Sequence, residues 1–325
     1  MTIRVFDMHC DTIGPLGMAD CEPYLSRLKD DNLTGDLACT NCELSGDRMR
    51  VMGWAQCYAI WTPDDCPSAS HHDFYRRGAD WFKHQMALHS DMFVQVCDMR
   101  DVRTVIDSGK IAAVFTVENA AMVEDGLDVV DEFVEDGVKI AGITWNGKNV
   151  LGSGNDSTEG LTALGCDYVR LLEDRGIVVD VSHLNDAGFW DVEHVARKPF
   201  IATHSNARAV CKAPRNLTDD QFRAIAERGG LAGLNFYENF VRDGGGAYDF
   251  DELAAHVEHW LSLGGEDAIA LGADRDGSTV PTWIADCSSQ QYLHDRMVQR
   301  FGEPLTRKLF FDNALAFFER YEEDR

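Results

Sequence analysis

Basic side chains are scarce in this chain of 325 residues: Lys and Arg number 30 against 55 Asp and Glu, a formal net charge of -25. Binding a nucleic-acid backbone needs clustered Lys and Arg that displace counterions. No such basic stripe runs along the sequence, so a nucleic-acid partner is excluded at the outset. Long apolar runs are missing too, and nothing approaches the ~18 consecutive apolar residues of a membrane span. The first residues, MTIRVFDMHCD, enter a strand at once, without the basic segment and apolar stretch of a signal peptide. The expectation is a protein with no membrane partner, working in the cytoplasm. No Gly-rich phosphate fingerprint follows the first strand, which argues against a dinucleotide fold. The ten cysteines stand singly, some inside apolar runs as Cys10 and Cys57 do, and this suits reduced thiols better than a disulfide framework. Cys39 and Cys42 have CxxC spacing but lack the second pair that would make a zinc or redox motif specific.

What the chain does have is 45% hydrophobic content and eight short apolar runs rich in Val, Ile, Ala and aromatic residues. They span 4-9, 54-61, 111-118, 138-145, 177-183, 199-204, 230-237 and 268-274. Near-continuous apolar runs of this kind mark strands covered on both faces. Amphipathic stretches separate most of them, including ADWFKHQMALHS, LDVVDEFVEDG, TALGCDYVRLLEDRG and DFDELAAHVEHWLSLGG, and several close on Gly after a charged last turn. Thr218 with Gln221 three residues on reads as a capping box. Eight strands alternating with helices predict a single-domain α/β fold over 1-325, a (β/α)8 TIM barrel rather than an open doubly wound sheet. Residues 14-53 are long for one connection. They contain SRLKDDN, and the segment reads as an excursion with a short helix beside the site mouth.

Five predicted strands end in a side chain that can hold a metal ion or move a proton: His9 with Asp11, Glu118, His183, His204 and Asp274. A barrel gathers its strand C-termini on one face, where its active sites lie, so these residues are expected to converge. His9 and Asp11, two apart, share a strand face with Asp7, and an imidazole beside a carboxylate suits zinc. His183 and His204 would add a second nitrogen pair from neighbouring strands. Glu118, between the pairs, could bridge two cations about 3.5 to 4 Å apart that also trap a hydroxide. The simplest assignment is two zinc ions per chain. The other histidines, at 71, 72, 84, 89, 194, 256, 259 and 294, fall in predicted helices or loops and are expected to be solvated.

At these residues the sequence resembles the renal or membrane dipeptidase family, peptidase family M19 of the amidohydrolase superfamily. The matching segments run in order: DMHCDT at 7-12, VEN at 117-119, ITWNGKN at 143-149, GLTALG at 160-165, DVSH at 180-183, THS at 203-205, RNLTDDQ at 215-221, GLAGLNFY at 230-237 and GADRDG at 272-277. The resemblance implies a distorted (β/α)8 barrel with a binuclear zinc site, a dipeptidase that tolerates a C-terminal D-residue, and a homodimer. By it His9 and Asp11 hold one zinc, His183 and His204 the other, and Glu118 bridges them. Arg215 would bind the dipeptide carboxylate through its planar fork. Asp274 would take a proton from the metal-bridging water and help deliver it to the leaving amine, with Asp276 on the same strand face as the alternative.

One position departs from the family pattern. Many members carry a His at the end of the fourth strand, where it contacts substrate and steadies the oxyanion, but this chain has Trp145. An indole donates one N–H and cannot become cationic, so that duty would pass to Asn146, Asn149 or zinc itself. Asn119 likewise stands where Gly is usual. Two rival readings remain open at this point: another amide, lactam or ester hydrolase on the same barrel, and a non-catalytic zinc-binding barrel, which would have no need of a proton carrier such as Asp274.

Overall fold

The computed structural model describes residues 2–18, 21, 35–66 and 69–323; SRLKDDN, read above as a short helix, lies outside them. Its strands are β1 (Arg4–Asp7), β2 (Gly53–Trp61), β3 (Phe93–Gln95), β4 (Ile111–Glu118), β5 (Val138–Gly142), β6 (Val178–Asp180), β7 (Ala232–Leu234) and β8 (Ile269–Leu271). They pair in parallel in the order β6-β5-β4-β2-β1-β8-β7, with β3 attached to β4. Residues 201 and 202 close the ring, Ile201 bridging to Asp180 and Ala202 to Ala232. The predicted (β/α)8 barrel is therefore present, with eight parallel staves.

Two departures from the predicted strands have physical causes. The run 199-204 makes only those two bridges, and on the side of β6 a side chain replaces the ladder beyond Ala202: Thr203 N donates to Asp180 Oδ1 at 3.0 Å. The second is β3, which pairs with Ile111 to Ala113 while β5 pairs with Phe115 to Val117 across a register shift. Strand β4 thus carries a neighbour on each half, and this fork distorts the barrel.

Small side chains such as Ala55, Cys57, Ala112, Val114 and Ala270 fill the interior, with Phe6 stacked on Phe318 at 5.5 Å and Phe311 beside it closing the lower end. Outside, the helix His71–Leu88 lays Phe82 on Phe115 at 4.8 Å. The helix Val129–Asp136 ends at Gly137 with φ 77°, the left-handed cap that favours glycine. At Asp219–Glu227 the capping box forms as read, Gln221 N donating to Thr218 Oγ1 at 3.2 Å and Thr218 N to Gln221 Oε1 at 2.8 Å. Among the described residues no helix is long and apolar enough to cross a membrane.

Candidate active site

Glu118 ends β4 and stands at the centre of the upper rim. Its Oε2 lies 3.4 Å from Nε2 of His9, which is 3.5 Å from Asp11 Oδ2. Its Oε1 lies 2.7 Å from His183 Nε2 and 3.8 Å from His204 Nε2. The two oxygens of one carboxylate therefore address two adjoining sets of donors. The Nε2 atoms of His183 and His204 are 3.0 Å apart, and the His9 and His204 rings stack at 3.7 Å. Asp274 joins the first set: His9, Asp11 and Asp274 offer ligand atoms within 4.8 Å of one another, as do His9, Glu118 and His204. All six residues are buried.

The back of each imidazole decides which lone pair is free. Thr203 Oγ1 lies 2.5 Å from Asp180 Oδ2 and 2.8 Å from His204 Nδ1. A hydroxyl has one proton. Given to the carboxylate, it leaves Oγ1 to accept from Nδ1–H, and Nε2 of His204 then faces the centre bare. Asn146 Oδ1, 3.1 Å from His183 Nδ1, sets the same tautomer there. Two bare lone pairs at 3.0 Å repel; a cation held with Glu118 turns that repulsion into coordination. His9 Nε2 and Asp11 Oδ1 are buried without a hydrogen-bond partner. Imidazole nitrogen with carboxylate oxygen, backed by oriented hydrogen bonds, is a donor set that fits a metal of the zinc type.

Electrostatics agree with that fit. Burial, reinforced by the Asp11 charge, raises the Glu118 carboxyl to about 8. Burial likewise raises Asp274, to about 7. The same desolvation holds His183 and His204 well below the usual imidazole range. At His9 burial is outweighed by Glu118 and Asp11, which together hold it above that range. Three carboxyl groups crowd this space, and a divalent cation relieves them all.

Backbone strain is concentrated at the same rim. Among the described residues the non-glycine positions with positive φ are Asn119 (61°), His183 (70°), Asp274 (59°) and Asp276 (64°), each at or just past a strand end. This left-handed region is cheapest for Gly, then for Asn and Asp, which explains why Asn119 can stand where Gly is usual. It also explains why the runs predicted to reach His183 and Asp274 leave the ladder at Asp180 and Leu271. At Gly277 a Cβ would lie 1.8 Å from Asp11 Oδ2, so any side chain there would displace that carboxylate.

Asp274 and Asp276 are separated by their partners. Asp276 accepts from Thr12 Oγ1 at 2.6 Å, Glu43 N at 2.6 Å and Leu44 N at 3.3 Å, so it fastens residues 43 and 44 to the rim. Asp274 accepts from Asn235 Nδ2 at 3.0 Å through Oδ2 and faces His9 and Asp11. Arg215 donates from Nη1 to Ser205 Oγ at 2.7 Å, while its Nε and Nη2 are buried without partners. Burial lowers its pKa to about 10, and two unspent N–H edges in a dry place call for an anion.

Trp145 lies beside the site, its ring 6.1 Å from that of His183 and edge-on to Trp61 at 4.9 Å. Asn149 does not face the centre: Nδ2 donates to Asn119 Oδ1 at 2.9 Å and Ile143 O at 2.8 Å, while Oδ1 accepts from Leu151 N at 2.8 Å and Gly152 N at 3.2 Å. Its capacity is spent on bracing the loop. Sequence reasoning missed the supporting residues Asp180, Thr203, Ser205 and Asn235, although DVSH, THS and GLAGLNFY contain them. It also misplaced two histidines. His294 is buried, and so is His256, whose Nδ1 accepts from Ala207 N at 3.1 Å and whose Nε2 lies 2.8 Å from Val241 O, pinning two loops. Cys39 and Cys42 form no disulfide; all ten cysteines are thiols.

A parallel barrel that assembles buried His, Asp and Glu side chains at its C-terminal rim is the frame of a metal-dependent hydrolase. The profile of the membrane dipeptidase family, peptidase family M19, matches residues 2–325, and the chain belongs to that family. An uncharacterized protein in the pqqA 5' region of Klebsiella pneumoniae is 37% identical over 246 residues, 71% of this chain and 90% of that protein. The solved structure of dipeptidase AC, a metallopeptidase of family M19, matches with a TM-score of 0.87 at 29% identity, covering 98% of this chain and 99% of that one. A metallopeptidase from Rhodobacter sphaeroides, liganded with a phosphinate mimic of the dipeptide L-Ala-D-Ala, matches with a TM-score of 0.85 at 28% identity, covering 98% and 99%. A metal cofactor follows from this membership.

Proposed function

We propose that the chain is a zinc-dependent dipeptidase, acting on dipeptides that include those with a C-terminal D-residue, and that residues 1-325 work as one catalytic barrel. The observation that carries this reading is the division of Glu118, one oxygen toward His9 and the other toward His183 and His204. In it His9 and Asp11 would hold one zinc and His183 and His204 the second, with Glu118 shared between them. What two zinc ions supply, when bound, is Lewis acidity toward the carbonyl oxygen and a water acidified to a hydroxide nucleophile at neutral pH.

The chain's own residues do the rest. Arg215 receives the C-terminal carboxylate on its unspent Nε and Nη2 edges, which limits the substrate to two residues, since a longer peptide would bring a neutral amide there. Asp274 takes up the proton of the attacking water at Oδ1, the oxygen that Asn235 leaves open, and returns it to the departing nitrogen as the peptide C–N bond breaks. Acceptance of a C-terminal D-residue is supported by the ligand of the Rhodobacter sphaeroides relative, a phosphinate mimic of L-Ala-D-Ala. The reading extends to a homodimer, as family resemblance implies, and to a reducing, cytoplasmic setting, which ten cysteines outside any disulfide suit.

Removal of metal by a chelator is expected to abolish hydrolysis of L-Ala-D-Ala, and zinc to restore it with two equivalents bound by elemental analysis. Turnover that survives metal removal sinks the reading. A requirement for a free C-terminal carboxylate separates it from a lactam or ester hydrolase on the same barrel.

A further inference from the structure

Trp61 closes β2 in register with Glu118, so its side chain leaves the sheet on the same face as the central carboxylate. Trp145 follows β5 and meets Trp61 edge-on at 4.9 Å, an arrangement that aromatic pairs prefer. Both rings remain partly exposed. The loops that carry them are stapled together. Asp64 accepts from Gly147 N at 2.8 Å and from Asn119 Nδ2 at 3.1 Å, and a Cβ on Gly147 would approach Asp64 Oδ2 to 2.7 Å. Asn149 completes the staple by donating to Asn119 at 2.9 Å. The two indoles therefore form a rigid wall before any substrate arrives, which lowers the ordering cost of binding.

Position around the ring gives the wall a use. The indoles occupy the arc over β2, β4 and β5, and Arg215, Asn235 and Asp274 follow the opposite arc of residues 201 and 202, β7 and β8. With the C-terminal carboxylate at Arg215, the first residue of a dipeptide lies across the metal ligands, against the indoles. We propose that Trp61 and Trp145 form the pocket for the N-terminal side chain and select dipeptides whose first residue is aromatic or large and apolar; the inference rests on the dipeptidase reading above. A His in place of Trp145 would offer a hydrogen bond and a charge. An indole offers a broad apolar face instead.

The holoenzyme is tested with L-Phe-D-Ala, L-Ala-D-Ala and Gly-D-Ala. The expected kcat/KM is at least about tenfold higher for L-Phe-D-Ala than for Gly-D-Ala, the scale of discrimination an apolar pocket provides. Trp145→Ala, checked for metal content and Tm, is expected to bring that ratio toward one, and Trp145→Phe to retain most of it. A wild-type ratio near one with all three substrates hydrolysed overturns the pocket and leaves the dipeptidase reading intact. A ratio that survives Trp145→Ala also overturns it. If none of the three is hydrolysed, the dipeptidase reading falls and the pocket with it. Should Trp145→Ala fail to fold, the wild-type panel still decides.

Discussion

Replacing Thr203 by Val keeps the side-chain shape and removes one hydroxyl from between Asp180 and His204, where it sits 2.5 Å from one and 2.8 Å from the other. Two costs follow. His204 loses the acceptor that keeps its proton on Nδ1, and loss of such an outer partner lowers metal affinity by about 10- to 100-fold. Asp180 Oδ2 loses its donor in a buried place, at about 1 to 3 kcal/mol of stability, although Oδ1 keeps the backbone N–H groups of Ser182 and Thr203. The assay is zinc binding against a competing chelator, with thermal unfolding of the metal-free protein run alongside. Thr203→Ser, which restores the hydroxyl, should recover both quantities. Nitrogen NMR of the metal-free protein should find His204 protonated at Nδ1 in the parent and a mixture of tautomers in Thr203→Val. Unchanged zinc affinity in Thr203→Val would refute the assignment of this hydroxyl as the positioning group.

Three further expectations can be checked together. Asp274→Asn should keep both metal equivalents and fold normally while kcat falls by about 10²- to 10⁴-fold, the usual share of a proton-transfer group; a variant that loses metal as well would make Asp274 a ligand instead. Arg215→Met should raise KM about tenfold or more for free dipeptides, the scale of a hydrogen bond to a charged group, and leave dipeptide amides nearly unaffected. His256 is held down to about 4 by burial from an unfolded value near 6.5. The native state therefore binds fewer protons than the unfolded one between these pH values, its contribution is complete above 6.5, and it is lost as pH falls toward 4. The size is on the order of 3 kcal/mol, visible as a flatter acid limb of Tm in His256→Gln.

Much of this barrel could be read before any coordinates. The apolar runs at 54-61 and 111-118 fall on β2 and β4 because residues covered on both faces leave a continuous signal. Strand ends were read too far at His183 and Asp274, since positive φ at those residues leaves no trace in hydrophobicity. Strand β3 has three residues, FVQ, too few to show a period. The cluster of His, Asp and Glu at the rim could be picked out because such side chains are unusual at the ends of buried strands. Its supports could not, since Thr203, Asp180 and Asn235 are common residues whose meaning lies in distance. The bracing role of Asn149 was hidden for the same reason: an amide beside a site is defined by where its four hydrogen-bonding positions go, and these go to the loop. His256 was taken for a solvated residue because a helix pattern does not say which polar side chain lies beneath a neighbouring loop.

The aromatic plug of Phe311 and Phe318 at the lower end of the barrel bears on traffic as well as on packing. With that end packed, substrate and both products pass through the mouth at the strand C-termini, and on the dipeptidase reading the two products are expected to leave in a fixed order. On that reading the amino acid bound through its carboxylate at Arg215 and the one against the indoles would not be replaced independently. Product inhibition should accordingly differ between the two amino acids, competitive for the last to leave and noncompetitive for the first.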